Sequence, residues 1–200
     1  AHIRFQDKVI ETSTFRSEPE PEGDGDDLYH HRDNTFGTPE EDARRRDFTV
    51  NALFYDIKNF HVIDHVGGLK DLEKGIIRAI GVPAVRFQED PVRMLRAVRF
   101  ASRLGFKIES RTRRAIEQYH AEILKASPPR LIEEIFRLFG FGSAGPAFRL
   151  LHELGLMRDL LPEVDDYVRT TGGIRSPLWA YLAALDARGD AEPPDPAVLL

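Results

Sequence analysis

Two segments of this chain carry residue types that packing alone does not require: Arg44-Arg45-Arg46-Asp47-Phe48-Thr49-Val50-Asn51 and Glu89-Asp90-Pro91-Val92-Arg93-Met94-Leu95-Arg96-Ala97-Val98-Arg99-Phe100. Each sets arginines beside carboxylates. A planar guanidinium matches a phosphate through two parallel hydrogen bonds, and a carboxylate accepts from ribose hydroxyls or an exocyclic amine, so together they suit a ligand with base, sugar and phosphates. Nucleotide chemistry is the reading these types support first.

Within the first segment, Arg46 is placed to take a phosphate and Asp47 a pair of ribose hydroxyls, with Asn51 contacting a phosphate. The plain alternatives are an Arg46–Asp47 ion pair closing a helix and an Asn51 that satisfies a turn. In the second, a helix starting at Pro91 turns about 100° per residue. Arg96, Arg99 and Arg103 then share a face with Arg93 adjoining, and Met94, Leu95, Val98 and Ala101 lie on the other. No carboxylate follows Asp90 before Glu109, so the basic face lacks i+4 partners and calls for an anion. Asp90 before Pro91 is an expected N-cap. Glu89, Asp90 and Arg93 at one helix start also match a base edge, the carboxylate accepting from an amine and the guanidinium donating to ring nitrogens. Spacing alone leaves both readings open.

Glu11 alternates with Val9, Ser13 and Phe15 on one strand face, where a carboxylate is either exposed at an edge or held for a metal. Asp24-Gly25-Asp26 mimics a metal-binding pair but lies in a glycine-containing acidic stretch and reads as solvated loop.

The elements that must position these groups follow from periodicity. Ile3 to Phe5 and Val9 to Phe15 alternate around Gln6-Asp7-Lys8, a β-hairpin. Ser17 to Asp33 is acidic and Pro/Gly-rich, a mobile surface loop. Thr38-Pro39-Glu40-Glu41 is a capping box that starts a helix running into the arginines. Asn51 to Ile57 fits helix or strand, Phe60 to Ile63 and Ile76 to Ile80 read as strands, and Val66-Gly67-Gly68-Leu69 as a tight turn. From Gly81 the pattern is helical, with helices near 91–104, 111–125, 129–139, 144–154 and 177–188. The fold class is α+β, a small sheet followed by a helical array.

Bulk composition narrows the function classes. The 200 residues, 42% hydrophobic, suffice for one sizeable core or two modest ones. No cysteine is present, which excludes disulfides and thiolate metal sites. No apolar run approaches bilayer-spanning length and the first residues lack a signal-peptide organisation, so a cytoplasmic protein without a membrane partner is expected. The chain opens on Ala1, without Met, directly into the alternation, and is expected to begin inside a larger protein. The net charge of −5 hides a segregation: residues 17–33 carry one Arg against seven acids, residues 34–158 carry 21 basic against 16 acidic groups, and residues 159–200 carry three against eight. A moderately basic body flanked by acidic segments fits an anionic ligand without resembling a bulk nucleic-acid coat.

Taken in order, Arg45 to Asn51, Gly67-Gly68-Leu69-Lys70-Asp71-Leu72 and Glu89 to Arg96 resemble the class II nucleotidyltransferases, the family of bacterial poly(A) polymerases and CCA-adding enzymes. The resemblance runs from about His2 to Val164. The wording from Asp90 to Phe100 looks more like the poly(A) branch than the Asp-Ala-Leu-Arg-Ile-Leu-Arg form of CCA addition. It implies a nucleotidyltransferase head over residues 1–80, lacking its first catalytic strand, a helical neck over 81–158 and the start of a helical body over 159–200. It implies Arg46 on phosphate, Asp47 on ribose, Asp90 with Arg93 on the base edge supported by Glu89, and Arg96 and Arg99 on the triphosphate. It further implies a catalytic Asp-x-Asp upstream of Ala1, Glu11 as a further metal acid, Mg²⁺ as cofactor, ATP as substrate and an RNA 3′ end as partner. The implied activity is addition of AMP to RNA 3′ ends, with CCA addition as the alternative. A non-catalytic RNA-binding helical module is the competing class, recognised by salt-sensitive RNA binding without nucleotide preference.

Overall fold

The computed structural model describes residues 1–6, 8–17 and 35–188. Apart from Ser17, the acidic stretch 17–33 with its Asp24-Gly25-Asp26 spacing lies outside the described residues, as does the tail from 189.

The chain opens with β1 (His2–Phe5) and β2 (Lys8–Glu11), paired antiparallel from His2↔Glu11 to Phe5↔Lys8. The hairpin is as expected, although the second strand stops at Glu11 rather than Phe15. Thr38 then starts α1 (Pro39–Arg45): its hydroxyl accepts from the Glu41 amide at 3.3 Å while the Glu41 carboxylate accepts from the Thr38 amide at 2.6 Å. These reciprocal bonds satisfy two amides that the first helical turn leaves without partners.

After α1 the backbone extends through Arg46, makes a 3-10 turn over Thr49–Asn51 and enters the antiparallel pair β3 (Leu53–Asp56) and β4 (His61–Asp64). The tight turn expected at Val66–Leu69 is instead the start of a helix, α2 (Gly68–Lys74), with Gly67 at φ +84°. Asp64 accounts for the difference. Its carboxylate accepts from the amides of Val66, Gly67, Gly68 and Leu69 at 2.8–3.0 Å, doing from the preceding strand what a helix N-cap does locally. The strand expected over Ile76–Ile80 shrinks to β5 (Ile76–Ile77), and Ala79 makes an isolated antiparallel bridge to Phe48.

The rest is helical: α3 (Pro83–Glu89), α4 (Val92–Leu104), α5 (Ser110–Tyr119), α6 (Pro128–Arg137), α7 (Ala144–Glu153), α8 (Leu156–Leu160), α9 (Pro162–Thr170) and α10 (Leu178–Asp186). A short β6 (Lys107–Ile108) between α4 and α5 pairs in parallel with β5. The five expected helices are present, the 111–125 one passing into a 3-10 stretch after Tyr119; α3, α8 and α9 are additional. At five residues, α8 after Gly155 is too brief for helical periodicity to register, and α9 starts on Pro162 with an acidic first turn.

Helix α4 is central. Met94, Leu95 and Val98 are fully buried and Ala101 nearly so, the apolar face expected of it, in a core that runs from Phe48 and Ile77 through Leu151 and Met157 to Leu182. Gly105, at φ +66°, ends the helix in the left-handed conformation that glycine adopts without Cβ strain. The mixture of helix with small two-stranded sheets is the α+β class. No helix among the described residues is long and apolar enough to cross a membrane.

Candidate nucleotide-binding site

The first arginine segment leaves the C-terminus of α1 and the second starts α4, and the core brings them to two walls of one cavity of about 560 Å³. Arg46, Asp47 and Asn51 line one wall; Asp90, Arg93 and Arg96 line the other.

Asp47 is at the centre. Its Oδ1 accepts from the Phe48 amide at 2.8 Å and from Asn51 Nδ2 at 3.0 Å, and its Oδ2 accepts from Arg96 Nε at 2.7 Å. With its side chain only 9% exposed, the carboxylate is fixed in direction. The backbone behind it is held by the Ile80 amide donating to the Asp47 carbonyl and by Phe48, fully buried, bridging to Ala79.

Arg46 pairs with Asp42, one helical turn earlier, through Nε at 3.0 Å and Nη2 at 2.9 Å, while its Nη1 donates to the Asn51 carbonyl. The Arg46–Asp47 ion pair considered from sequence is therefore replaced by Arg46–Asp42. Neighbours in sequence point apart in extended backbone, whereas i and i+4 share a helix face.

Arg93 donates from Nη1 to Glu89 and to the Arg86 carbonyl, both at 2.9 Å. Arg86, which sequence reasoning did not select, joins the two walls. One nitrogen donates to Glu89 at 2.9 Å and another to the carbonyls of Arg45 and Arg46 at 2.6 and 3.0 Å. The Arg86-x-x-Glu89 spacing was its only local sign. Asp90 ends α3 rather than capping α4 directly, yet its Oδ1 accepts from the Val92 amide at 3.3 Å, and its Oδ2 accepts from Arg130 Nη2 at 2.8 Å. That bond to Asp90 raises the Arg130 guanidinium above its ordinary value, against a smaller opposing effect of burial.

Helix α6 supplies the residues that sequence reasoning missed. Arg130, Glu133 and Glu134 line the cavity, and Phe100 of α4 lies beside them. Glu134, 6% exposed, accepts from Arg99 Nε at 2.9 Å and stands 3.7 Å from Arg96 Nη1 and 3.3 Å from Arg137 Nη1. Burial lowers the Arg99 guanidinium even with Glu134 opposing it. The Phe100 ring lies under the Arg96 and Arg99 guanidiniums at 5.3 and 4.4 Å. These contacts correct the expectation that an anion must relieve the repulsion along α4: the missing carboxylates come from Glu89, Asp47 and Glu134 on other elements.

Of the eight expected nucleotide-binding residues, six line the cavity. Glu89 stands one hydrogen bond behind it at Arg93, and Arg99 one behind at Glu134. Glu11 is elsewhere, its side chain 80% exposed on the hairpin and 3.8 Å from His2 Nε2. Among the described residues no group of three or more His, Asp or Glu side chains is placed to hold a metal ion.

Residues 1–78 match the family model described as "Poly A polymerase head domain", and residues 105–168 match "Probable RNA and SrmB- binding site of polymerase A". The chain is 42% identical over 179 residues to poly(A) polymerase I of Escherichia coli O6:H1, covering 86% of this chain and 38% of that protein. It is 38% identical over 183 residues to the CCA-adding enzyme of Geobacillus thermodenitrificans, covering 90% and 43%. In three dimensions it is similar to the Bacillus stearothermophilus CCA-adding enzyme in complex with CTP, with a TM-score of 0.70 at 33% identity over 93% of this chain and 46% of that one. The chain thus spans about two fifths of the length of the curated relatives it matches.

Proposed function

This chain belongs to the family of poly(A) polymerases and CCA-adding enzymes, and on that footing we propose that the cavity between α1 and α4 binds a nucleoside triphosphate for template-independent addition of AMP from ATP to RNA 3′ ends. The convergence of Arg46, Asp47 and Asn51 with Asp90, Arg93 and Arg96 on one cavity carries the reading.

Asp47, held in direction by Arg96 and Asn51, accepts from a ribose hydroxyl. Asp90 accepts from the exocyclic amine of the base and Arg93 donates to a ring nitrogen, so that side chains select the nucleotide without a template strand. Arg46 and Arg96 meet the phosphates, with Arg99 supporting Arg96 through Glu134. The cavity is lined by Arg46, Arg93, Arg96 and Arg130 against Asp47, Asp90, Glu133 and Glu134, so its lining is formally neutral. A triphosphate therefore binds by exchange, taking over guanidinium contacts that carboxylates hold in its absence. In the reaction the RNA 3′ oxygen attacks the α-phosphorus and forms the new phosphodiester, the bond from the α-phosphorus to the α,β-bridging oxygen breaks and pyrophosphate leaves with that oxygen and its electron pair, and the hydroxyl proton passes to solvent or a base. Among the described residues Glu11 with His2 does not complete a metal site. In domain terms the reading assigns a head to residues 1–80, a neck to 81–158 and the beginning of a body to 159–200, in a cytoplasmic enzyme.

The test is Arg93→Ala in the whole protein, comparing ATP with GTP incorporation. Loss of ATP preference supports the assignment; an unchanged preference removes Arg93 from base selection. CCA addition is the second reading, favoured by the similarity to the CTP complex. It predicts a product that stops once a tRNA end is repaired, where a poly(A) polymerase extends a generic RNA by many adenylates.

A further inference from the structure

We propose that the outer face of α7 holds one ribonucleotide of the bound RNA, with Arg149 taking a phosphate and His152 Nε2 accepting the hydrogen of a ribose 2′-hydroxyl. This rests on the reading of the chain as an RNA-extending enzyme, and it concerns a surface separate from the nucleotide cavity.

Arg149 and His152 are three residues apart on one helix, which places their Cβ atoms about 5–6 Å apart on the same face. Both lie against the indole of Trp179 from α10, the Arg149 guanidinium 4.6 Å from the ring and the His152 imidazole 6.3 Å from it. The indole is a fixed wall: it is 5% exposed and its Nε1 donates to the Gly173 carbonyl at 2.9 Å.

The orientation of His152 is set from the other side. Its Nδ1 is 2.7 Å from Oδ1 of Asp165 on α9, a buried carboxylate whose Oδ2 is 3.2 Å from Arg169 Nε. A carboxylate paired with a guanidinium only accepts, so Asp165 holds an imidazole hydrogen on Nδ1, the tautomer in which Nε2 is the acceptor. Among the described residues nothing donates to that Nε2, and Arg149 faces no carboxylate; the nearby Glu153 is drawn to Arg113 at 3.3 Å. Another His–Asp pair, His120 with Asp159, is closed by contrast. His120 has Asp159 at Nδ1 and receives Arg158 Nη2 at 3.2 Å on Nε2, leaving it no free position.

An acceptor beside a cation fits a ligand that offers a hydroxyl donor next to an anion. A ribonucleotide has both, a 2′-hydroxyl beside a phosphate, and DNA lacks the hydroxyl. Arg149, His152 and Asp165 all fall within residues 105–168, the RNA-binding match.

The experiment compares binding of a labelled RNA oligonucleotide and its DNA counterpart to the whole protein by fluorescence anisotropy at several salt concentrations. His152→Phe, which keeps a ring against Trp179, is expected to weaken RNA binding about fivefold, the worth of one net hydrogen bond, and to leave DNA binding unchanged. His152→Gln, whose side-chain carbonyl also accepts, should recover part of the loss. Arg149→Ala should weaken both ligands and reduce the salt slope by about one. ATP affinity should stay the same in all three, and thermal melting identifies a variant that is merely unfolded. If His152→Phe and His152→Gln, both folded, leave RNA binding as it was or change RNA and DNA by the same factor, the inference is overturned while the enzymatic reading stands. A wild-type protein that binds no RNA overturns both.

Discussion

Arg96 donates from Nε to Oδ2 of Asp47 at 2.7 Å, joining residues 49 apart in the chain and closing the cavity between α1 and α4 proposed for the nucleotide. The same guanidinium lies 3.7 Å from Glu134 and over the ring of Phe100, so one side chain links three elements around the proposed ribose site.

Arg96→Ala should therefore reduce ATP affinity about tenfold or more and destabilise the fold by about 1–3 kcal/mol, since it leaves Asp47 nearly buried without its cation. Calorimetric titration of ATP and urea unfolding measure the two effects. A double-mutant cycle with Asp47→Asn should give a coupling of about 1 kcal/mol or more; additive effects would show that the two residues act separately.

Glu134 faces Arg96, Arg99 and Arg137 from a position 6% exposed. Replacing it by Gln leaves the half-buried Arg99 without a counter-charge, at a cost of about 3 kcal/mol. The midpoint of thermal unfolding should fall accordingly, and a variant that melts with the wild type would rule out this role.

Gly68 allows α2 to approach the turn that carries Asn51. A Cβ there would meet the Thr49 carbonyl oxygen at 2.3 Å and its carbon at 2.9 Å. Gly68→Ala must push the 49–51 turn away from α2, costing about 1–3 kcal/mol and misplacing Asn51 and, through it, Asp47. The expected signature is a raised KM for ATP together with reduced stability. An unchanged KM in a folded variant would show that the turn tolerates the shift.

Burial pushes the Asp64 carboxyl up, but the amides of Leu69, Gly68, Val66 and Gly67 outweigh it and hold the group below the usual carboxylate range. With its folded value below the unfolded value of about 3.9, Asp64 contributes its full stability above that pH, and the contribution is lost as pH falls through the folded value. Asp64→Asn should lower stability by about 2 kcal/mol at neutral pH, and the gap to wild type should shrink in acid as the native carboxyl is protonated. A gap that stays constant from neutral to strongly acid pH would mean that the carboxylate charge is not what holds the start of α2.

What the sequence determined alone was local. The capping box at Thr38, the apolar face of α4 and the arginine and carboxylate types of the two segments are legible because they depend on neighbours within one or two turns of chain. Which acid meets which arginine was decided only by the tertiary structure. The partners of Arg96 and Arg99, the Arg86 link to the Arg45 and Arg46 carbonyls and the Arg130–Asp90 pair span 35 to 49 residues, so no spacing rule reports them. The start of α2 was hidden for the same reason on a smaller scale, since its cap is a carboxylate at the end of the preceding strand. Burying the apolar face of α4 against the other helices fixes where its arginines emerge, and Asp47 just beyond α1, Glu89 of α3 and Glu134 of α6 meet them there because uncompensated charge is costly in a partly buried cavity.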